Sequence, residues 1–290
     1  MSDANERLVA VTGATGTVGR QVVRQLARTG VRCVALSRHH SSWLDELPNV
    51  IWRRLDFADK STWSSALDQV ERAFVLSPLE PDMADVMRQF GLAMRGRGVS
   101  LAVRLSAMGV NHKPRMSLGE VHGQAEQALR ESLPVVALRP NSFMDNYATF
   151  AGSGIREHGS FQFAQGDGAV SCVDARDIAD VAVYHLLASE IRDLSVELTG
   201  CEALTNFDVA AKLSKLLGRS IEYTSLEPEV ARQMLLGFGM TPWLVNILCE
   251  LDTMIREDRA SHTNTVIQDT LGRQPRTFDD YLRNNKALFA

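Results

Sequence analysis

The chain contains 290 residues, of which 45% are hydrophobic and 23% charged, and its formal net charge is −4. This composition is typical of a soluble globular protein with a substantial core and excludes an extended disordered chain. A net negative chain lacks the strongly basic surface that binds nucleic-acid phosphates or anionic lipid. We therefore expect a small-molecule partner, with no nucleic acid and no membrane.

The N-terminal segment and the cysteines bear on compartment and metal content. The first apolar run is far shorter than the roughly 20 residues that a membrane-spanning helix needs, so the expected location is cytoplasmic. The cysteines are scattered without the paired spacing of a zinc site, and no metal is predicted. They stand at Cys33, Cys172, Cys201 and Cys249.

The first half of the chain alternates short apolar runs with helical patterns, as the βαβ units of a parallel sheet do. Six runs are predicted as strands: LVAVT, VRCVALS, VIWRRLD, RAFVLS, SLAVRLS and PVVALRP. Crossovers between parallel strands are right-handed, which favours a doubly wound sheet. The predicted fold class is α/β, a Rossmann-type sheet with a smaller C-terminal α/β region.

A glycine-rich turn from Thr12 to Gly19 joins the first predicted strand to an amphipathic helix. Gly13 permits a tight turn, Gly16 lets the backbone approach a pyrophosphate, and Gly19 allows close packing of helix on strand. Backbone N–H groups at the start of the helix then face the phosphates, aided by the helix dipole. The less expected alternative is a turn without a ligand. Predicted cofactor contacts in this turn are Thr12, Gly13, Thr15, Gly16, Thr17, Val18 and Gly19.

The end of the second predicted strand indicates NADP(H) rather than NAD(H). An NAD-binding domain places Asp or Glu there to bind the ribose 2′-hydroxyl, whereas this chain has Ser37 and Arg38, which can bind a 2′-phosphate. The alternative for Arg38 is a solvated loop cation. Asp56 and Phe57, after the third strand, are predicted to contact the adenine, although Asp56 could instead cap the helix that begins near Lys60.

The pattern changes near residue 150, which predicts two domains: a dinucleotide-binding domain over 1–150 and a smaller substrate-binding region over 151–290. A strand over 196–199 is predicted to return to the first sheet. A Met-rich and aromatic stripe in the second region suggests the wall of an apolar substrate pocket, with Phe238 and Trp243 as its predicted contacts. The alternatives for this stripe are core packing or the surface of a homodimer.

Four segments, TGATGTVG, RPNSFMDNY, VDARDIADVA and LGRQPRTFDDYL, together resemble the NmrA-like atypical short-chain dehydrogenase/reductases, in the group similar to NAD(P)H-dependent quinone reductases. The resemblance runs over nearly the whole chain. It implies an NADP(H)-dependent reductase that passes hydride to a small apolar acceptor such as a quinone, enone, imine or carbonyl. The alternatives are a redox sensor that binds NADP(H) without turnover, and a biosynthetic enzyme of this fold that performs cyclisation or epimerisation.

The same resemblance implies contacts at the ends of the fourth to sixth strands. For the cofactor these are Ser77, Pro78, Ser106, Asn141 and Phe143. For the substrate they are Met108, Phe143 and Met144. In the loop between the fifth strand and its helix, Lys113 could touch substrate, with a solvated loop residue as the more expected interpretation.

The helix after the fifth strand departs from the classical short-chain pattern. It lacks the Tyr-x-x-x-Lys pair in which Tyr protonates the substrate oxygen and Lys lowers the pKa of Tyr. Its similarity to phenylcoumaran benzylic ether reductases puts His122 at the position of their catalytic lysine, so His122 is the predicted proton donor, acting near its reference pKa of roughly 6.5. The alternative is a structural pair of His122 with Glu126, and Glu126 also has Arg130 one turn on, in a pair expected at the surface.

Overall fold

The computed structural model describes residues 7–110 and 116–290. Lys113 therefore lies outside the described residues. Within them the chain forms the strands β1 (Leu8–Thr12), β2 (Arg32–Ser37), β3 (Val50–Arg54), β4 (Arg72–Val75), β5 (Leu101–Leu105), β6 (Val135–Pro140), β7 (Ser160–Phe163), β8 (Ala169–Val170), β9 (Leu194–Leu198), β10 (Leu204–Thr205) and β11 (Glu222–Ser225).

The helices alternate with these strands in the first half of the chain and dominate the second. They are α1 (Thr17–Thr29), α2 (Trp63–Ala66), α3 (Met83–Gly96), α4 (Ser117–Arg130), α5 (Gly152–His158), α6 (Ala175–Leu187), α7 (Asn206–Leu217), α8 (Pro228–Gly237), α9 (Pro242–Arg256), α10 (Val266–Leu271) and α11 (Phe278–Asn284). A π-helical turn covers Tyr147–Ala151.

The central sheet has seven strands in the order β3-β2-β1-β4-β5-β6-β9. The five pairings from β3 to β6 are all parallel. The chain reverses its direction of travel across the sheet between β1 and β4, and ligands of doubly wound sheets bind at the carboxyl ends of the strands beside such a reversal. The predicted fold class is confirmed, and the predicted strand near 196–199 appears as β9.

The two faces of this sheet are covered by different helices. Helix α1 buries Val18, Val22, Val23 and Leu26, the apolar stripe of an amphipathic helix, and ends at Gly30 with a positive φ of 79°. On the opposite face, one hydrophobic cluster joins alternate residues of the strands, such as Ala73 and Val75, to α2, α3 and α4. β4 ends at Val75 and β5 ends at Leu105. Just beyond these strand ends, the side chains that continue the alternation of this face point toward α3 and α4.

The chain divides into two compact units, and their boundaries differ from the predicted 1–150 and 151–290. Unit 1 comprises the described residues up to Pro140 together with Ala175–Glu197, so that α6 and most of β9 return to it. Unit 2 comprises Asn141–Asp174 and Leu198–Ala290. Sequence periodicity identified the returning strand but could not show that α6 packs in the first unit, because a buried face does not reveal its partner.

Unit 2 contains two small sheets with helices around them. Strands β7 and β11 pair in parallel, and β8 and β10 pair antiparallel. None of the helices in the described part of the chain has the length and apolar character needed to cross a bilayer. Over residues 7–110 and 116–290, no group of three or more His, Cys, Asp or Glu side chains is arranged to hold a metal ion.

Candidate functional site

The glycine-rich turn lies at the carboxyl end of β1, where a doubly wound sheet binds its ligand. Gly13 has a φ of 60°, which a side chain would disfavour, and a Cβ there would lie 3.0 Å from Leu76 Cδ2. A Cβ at Gly19 would overlap the Gly13 carbonyl oxygen. Both glycines are thus required by the close approach of the turn to its neighbours, as the sequence predicts.

The first turn of α1 offers backbone donors to a ligand. Gly16 is the N-cap and supplies no side-chain hydrogen bond, and the first helical hydrogen bond runs from the Arg20 N–H to the Gly16 carbonyl at 3.0 Å. Thr15, Gly16 and Thr17 are exposed. The leading amides of an uncapped helix, with its dipole, form an anion site, and here they are accessible to phosphate groups.

Thr12 differs from its predicted role as a hydroxyl donor to the cofactor. Its side chain is fully buried, and its Oγ1 donates to the Leu76 carbonyl at 2.8 Å while accepting from the Leu76 N–H at 2.7 Å. The hydroxyl therefore joins the carboxyl ends of β1 and β4 and has no hydrogen left for a phosphate. Thr15 and Thr17 keep the exposure that the prediction requires.

The end of β2 separates two side chains that the sequence grouped together. Ser37 is 8% exposed, and its hydroxyl donates to the His39 carbonyl at 2.7 Å and accepts from Trp52 Nε1 at 2.9 Å. The hydroxyl of Ser37 is thus engaged within the fold in this structure, and its contact with a 2′-phosphate stays a prediction. Arg38 is exposed and makes no hydrogen bond or ion pair with the described residues, so its guanidinium remains available to an anion.

The end of β3 carries the predicted adenine contacts. Asp56 Oδ1 accepts from the Ala58 N–H at 3.1 Å, which leaves its second carboxylate oxygen without a partner in the described chain. The short helix that follows is capped by Asp59, not Asp56, through the Ser61 N–H at 3.2 Å. The ring of Phe57 packs edge-on against Phe90 at 5.1 Å between centroids, and the side chain is half-buried against the core.

A cluster of buried polar groups lies at the carboxyl ends of β5 and β6, on the face covered by α3 and α4. Its centre is Glu126, which is 1% exposed. Ser106 Oγ donates to Glu126 Oε1 at 2.5 Å, Arg139 donates to both carboxylate oxygens at 2.9 and 2.7 Å, and Arg130 donates at 3.0 Å. The expected surface pair of Glu126 with Arg130 is thus a buried network. The hydroxyl of Ser106, a predicted cofactor contact, is used within it.

Electrostatics at Glu126 favour the carboxylate. Burial by itself raises the pKa of Glu126, but the hydrogen bonds from Arg139 and Ser106 reverse this effect and hold the pKa below its ordinary value. A buried carboxylate with three donating partners is fully satisfied. It has little capacity left for His122, and no hydrogen bond joins the two side chains, so the alternative pairing of His122 with Glu126 is not observed in the described residues.

His122 also differs from its prediction as a proton donor. Burial lowers the pKa of His122 to about 3, with the charge of Arg104 acting in the same direction and Glu126 opposing it. The ring is therefore neutral at physiological pH and holds no imidazolium proton to give. Its Nδ1 is buried and has no hydrogen-bond partner among the described residues.

Two arginines of this cluster were not singled out from the sequence. Arg104 is fully buried and Arg139 is 7% exposed. The available signal was their position inside otherwise apolar strands, LAVRL and VVALRP, since a charge inside a buried strand needs a partner. Ser77, a predicted cofactor contact, lies beyond β4, and its buried Oγ has no partner in the part of the chain that the structure describes, while Pro78 is exposed.

The remaining predicted contact in unit 1 is Met108, and the others lie in unit 2. Met108 is half-buried beyond β5. Asn141 donates to Ser171 Oγ and to the Ala260 carbonyl, both at 2.8 Å, and accepts from the Ser142 N–H at 2.9 Å. Both N–H groups of its amide are engaged within unit 2, and its contact with the cofactor stays a prediction.

Of the predicted substrate contacts in unit 2, some are accessible and one is not. Met144 is 1% exposed and belongs to the core of the unit, so it cannot touch a ligand from the position it occupies. Phe143 and Trp243 are half-buried. Phe238, at the end of α8, is 74% exposed.

The residues of unit 1 fit an NADPH molecule. The turn from Gly13 to Gly19 is a cradle that side chains would fill, and the uncapped start of α1 offers amides to the diphosphate. The guanidinium of Arg38 has no partner among the described residues and can donate a charge-assisted hydrogen bond to the 2′-phosphate. The Oγ of Ser77 is buried without a partner among the same residues, and it follows β4, which lies on the other side of β1 from β2. The bound cofactor would supply hydride.

Comparison with known proteins gives matches over most of the chain. A family model described as NAD(P)H-binding matches residues 13–188. The NAD(P)H azoreductase of Xenophilus azovorans is 31% identical over 284 residues, which cover 97% of this chain and 99% of that protein.

Solved structures of other proteins share the fold of this chain. The NADPH complex of the quinone oxidoreductase QOR2 from Escherichia coli superposes with a TM-score of 0.82 at 25% identity, covering 95% of this chain and 99% of that one. NmrA, a negative transcriptional regulator solved with NAD, shares the fold with a TM-score of 0.77 at 15% identity, covering 97% of this chain and 95% of that one.

Proposed function

The chain belongs to the NAD(P)H-binding family, and from that premise we propose that it is a reductase that passes hydride from NADPH to a small conjugated acceptor, a quinone or an azo compound. The predicted NmrA-like resemblance, the oxidoreductase class and the NADP(H) cofactor are confirmed by the same comparisons. The sensor and the non-redox enzyme are not favoured, because the NAD(P)H azoreductase and the quinone oxidoreductase 2, which match 97% and 84% of the chain, are oxidoreductases.

One observation carries the choice of NADPH: the unpaired guanidinium of Arg38 at the end of β2. A hydrogen bond to a charged group contributes about 1.5–3 kcal/mol, and an arginine already engaged by a carboxylate would supply less. Ser37 does not compete for the phosphate, because its hydroxyl is bonded to His39. The 2′-phosphate therefore depends on Arg38 alone among the residues predicted to bind it.

The described residues explain how such a reductase can work without a tyrosine. The turn and Arg38 fix the cofactor, and the protein orients the acceptor and excludes water, which accounts for a large share of the rate. Reduction of a quinone can draw its protons from solvent. The absence of a Tyr-x-x-x-Lys pair on α4 is then no obstacle.

The cofactor assignment is tested by Arg38→Asp, with Arg32→Asp as the matched control. Arg32 is an exposed arginine at the opposite end of the same strand. We expect Arg38→Asp to raise the dissociation constant for NADPH by about 10- to 100-fold, from the loss of one charge-assisted bond, and to leave that for NADH nearly unchanged. Calorimetric titration of each variant with both nucleotides measures this. Equal losses for NADPH and NADH would exclude Arg38 from the 2′-phosphate.

The reductase activity is tested by steady-state oxidation of NADPH with a panel of quinones, azo dyes, enones and imines. Turnover that requires the acceptor supports the proposal, and a product formed without any change in reduced nicotinamide would indicate non-redox chemistry instead. Tight binding of NADPH with no turnover of any acceptor would favour a redox sensor over a reductase.

Two finer predictions concern partners. We propose that the exposed apolar side chains of α8, Met234 and Phe238, which are 40% and 74% exposed, contact the acceptor rather than a second copy of the chain. Phe238→Ser should then raise KM for the acceptor and leave the molar mass by light scattering unchanged. A dimer that dissociates in this variant would favour the homodimer surface.

The cytoplasmic location stays a prediction of the sequence.

A further inference from the structure

Trp43, in a short helical turn that follows β2, packs against two arginines of α1. The turn covers Ser42–Leu44. The guanidinium carbon of Arg20 lies 5.2 Å from the centroid of the indole ring, and that of Arg24 lies 5.4 Å from it. At these distances the face of an indole ring attracts a cation. The indole Nε1 is enclosed and bonds none of the described residues, so stacking on the arginines holds the ring against α1.

These contacts fix the segment that carries Arg38. Residues 38–41, which we call the β2 loop, join β2 to the turn of Trp43. Before the loop, the Ala14 N–H of the glycine-rich turn donates to the Leu36 carbonyl near the end of β2 at 3.2 Å. After the loop, Trp43 contacts Arg20, which lies one turn into α1. The β2 loop therefore has one end beside the glycine-rich turn and the other beside the first turns of α1.

Arg20 keeps hydrogen-bond donors available to a ligand. It is half-buried and makes no hydrogen bond or ion pair within residues 7–110 and 116–290. Its Nε is enclosed, whereas its two terminal nitrogens are not, so the edge of the guanidinium is accessible. An arginine that stacks on a ring through its face can still bind an anion through this edge. Side chains of a helix lean toward its N-terminus, which directs Arg20 toward the phosphate-binding end of α1.

The positive charge of this region is not balanced by bonded carboxylates. Like Arg38, Arg20 and Arg24 bond no acidic side chain in the described part of the chain. The first turn of α1 contains no acidic residue. Asp45, which follows the turn of Trp43, bonds the Nε2 of His40 at 2.9 Å. Neighbouring cations repel each other, and a bound anion would offset that repulsion.

We propose that Arg20 is a second guanidinium for the 2′-phosphate of NADPH, and that Trp43 is the positioning residue that holds it. Arg38 begins the β2 loop, and Arg20 is held at the other end of the same loop. A phosphate monoester carries nearly two negative charges and three acceptor oxygens, so it can accept from both guanidinium groups. The inference rests on the NADPH cofactor of the proposed function and does not depend on the identity of the acceptor.

The contact is tested by calorimetric titration of Arg20→Met with NADPH and with NADH, which lacks the 2′-phosphate. We expect the dissociation constant for NADPH to rise about tenfold, from the loss of one charge-assisted hydrogen bond, and that for NADH to stay within about twofold of the wild type. Arg28→Met is the matched control, because Arg28 is an exposed arginine two turns beyond Arg20 on the same helix. It should change neither constant.

The positioning role is tested at Trp43. Trp43→Leu keeps the arginines but removes the ring face, so we expect the NADPH dissociation constant to rise about threefold and that for NADH to stay unchanged. Trp43→Phe keeps an aromatic face and should retain most of the NADPH affinity. In the Arg20→Met background, Trp43→Leu should cause no further loss, because the guanidinium that the ring holds is already absent.

Defined outcomes would overturn each part. Equal losses for NADPH and NADH in Arg20→Met would assign Arg20 to the diphosphate, and an unchanged NADPH constant would leave it a surface cation; either result rejects the 2′-phosphate contact. Fully additive losses in the double variant would reject the positioning role of Trp43. Circular dichroism verifies folding, and Arg20→Gln replaces Arg20→Met if that variant does not fold.

The same variants separate this proposal from the function on which it rests. A selective loss of NADPH affinity in Arg20→Met, together with no turnover of any acceptor by the wild type, would reject the reductase function and leave the role of Arg20 intact. Turnover by the wild type with an unchanged NADPH dissociation constant in Arg20→Met would reject the role of Arg20 and leave the reductase function intact.

Discussion

Removing the buried carboxylate of Glu126 should lower the free energy of unfolding substantially, and this loss can be measured without any substrate. In Glu126→Leu the side-chain volume is retained, but Arg139, which is 7% exposed, loses both of its bonds to the carboxylate. Removing one partner of a buried ion pair destabilises a protein by about 3–5 kcal/mol, because the remaining charge is buried and uncompensated. Arg130 loses less, since it keeps Asp193 at 2.7 Å.

The second variant, Glu126→Leu with Arg139→Met, identifies the cause. Replacing both charges by apolar side chains of similar volume removes the unpaired cation, so we expect the double variant to be more stable than Glu126→Leu alone. The measurement is urea unfolding followed by circular dichroism, with the midpoint and the slope reported for each variant. Glu190→Ala is the control, since its pair with Arg192 is exposed on both sides and should leave the midpoint unchanged. A double variant less stable than Glu126→Leu would refute this account.

The same carboxylate makes the free energy of unfolding depend on pH in the acid range. The folded-state pKa of Glu126 lies below its unfolded value of roughly 4.3, so its contribution is complete above that value and is lost as pH falls toward the folded pKa. In Glu126→Gln this part of the acid destabilisation should disappear. The unfolding free energy of the wild type should therefore fall more steeply below about pH 4 than that of the variant. Parallel curves would show that the carboxylate is not favoured in the fold.

Two further predictions concern the turn and the strand ends. Gly19→Ala forces the Gly13 carbonyl aside and should weaken NADPH binding at least about tenfold by calorimetric titration. The control is Gly96→Ala, which has open space at its Cβ and should leave binding intact while stabilising the fold by roughly 0.5–1 kcal/mol. Intact binding in Gly19→Ala would contradict the close approach of the two residues. Thr12→Val leaves both backbone groups of Leu76 without their partner and should lower the unfolding free energy by about 1–3 kcal/mol in urea, and an unchanged midpoint would show that the hydroxyl does not join the strands.

The fold was predictable from the sequence because its signals are local. A strand such as β1 is a run of buried residues, α1 has an apolar stripe, and Gly13 and Gly19 are required by the geometry of a single turn. The division into units was less predictable. Helix α6 packs in unit 1 although it follows a segment of unit 2 in the chain, and only the three-dimensional structure shows that partner.

At the candidate site, the structure supports the exposure expected of Arg38 but gives other partners to several predicted hydroxyl and amide contacts. Thr12, Ser37, Ser106 and Asn141 are polar residues at strand ends, which is why they suggest cofactor contacts. Each one instead bonds a backbone or side-chain group within its own unit. A short polar side chain near a strand end is within reach of several such groups, and residue type alone does not say which it will choose.

The arginines follow a different logic, and it is the one that connects structure to function. Arg38 follows a strand and is exposed without a partner, which is the state that a phosphate contact requires. Arg139 lies inside a strand and is neutralised by Glu126, so it can only stabilise. Arg104 also lies inside a strand, but among the described residues no carboxylate bonds it, and its Nε and Nη1 are buried without a partner there. The balance of partners therefore favours a binding role for Arg38 and a role in the fold for Arg139.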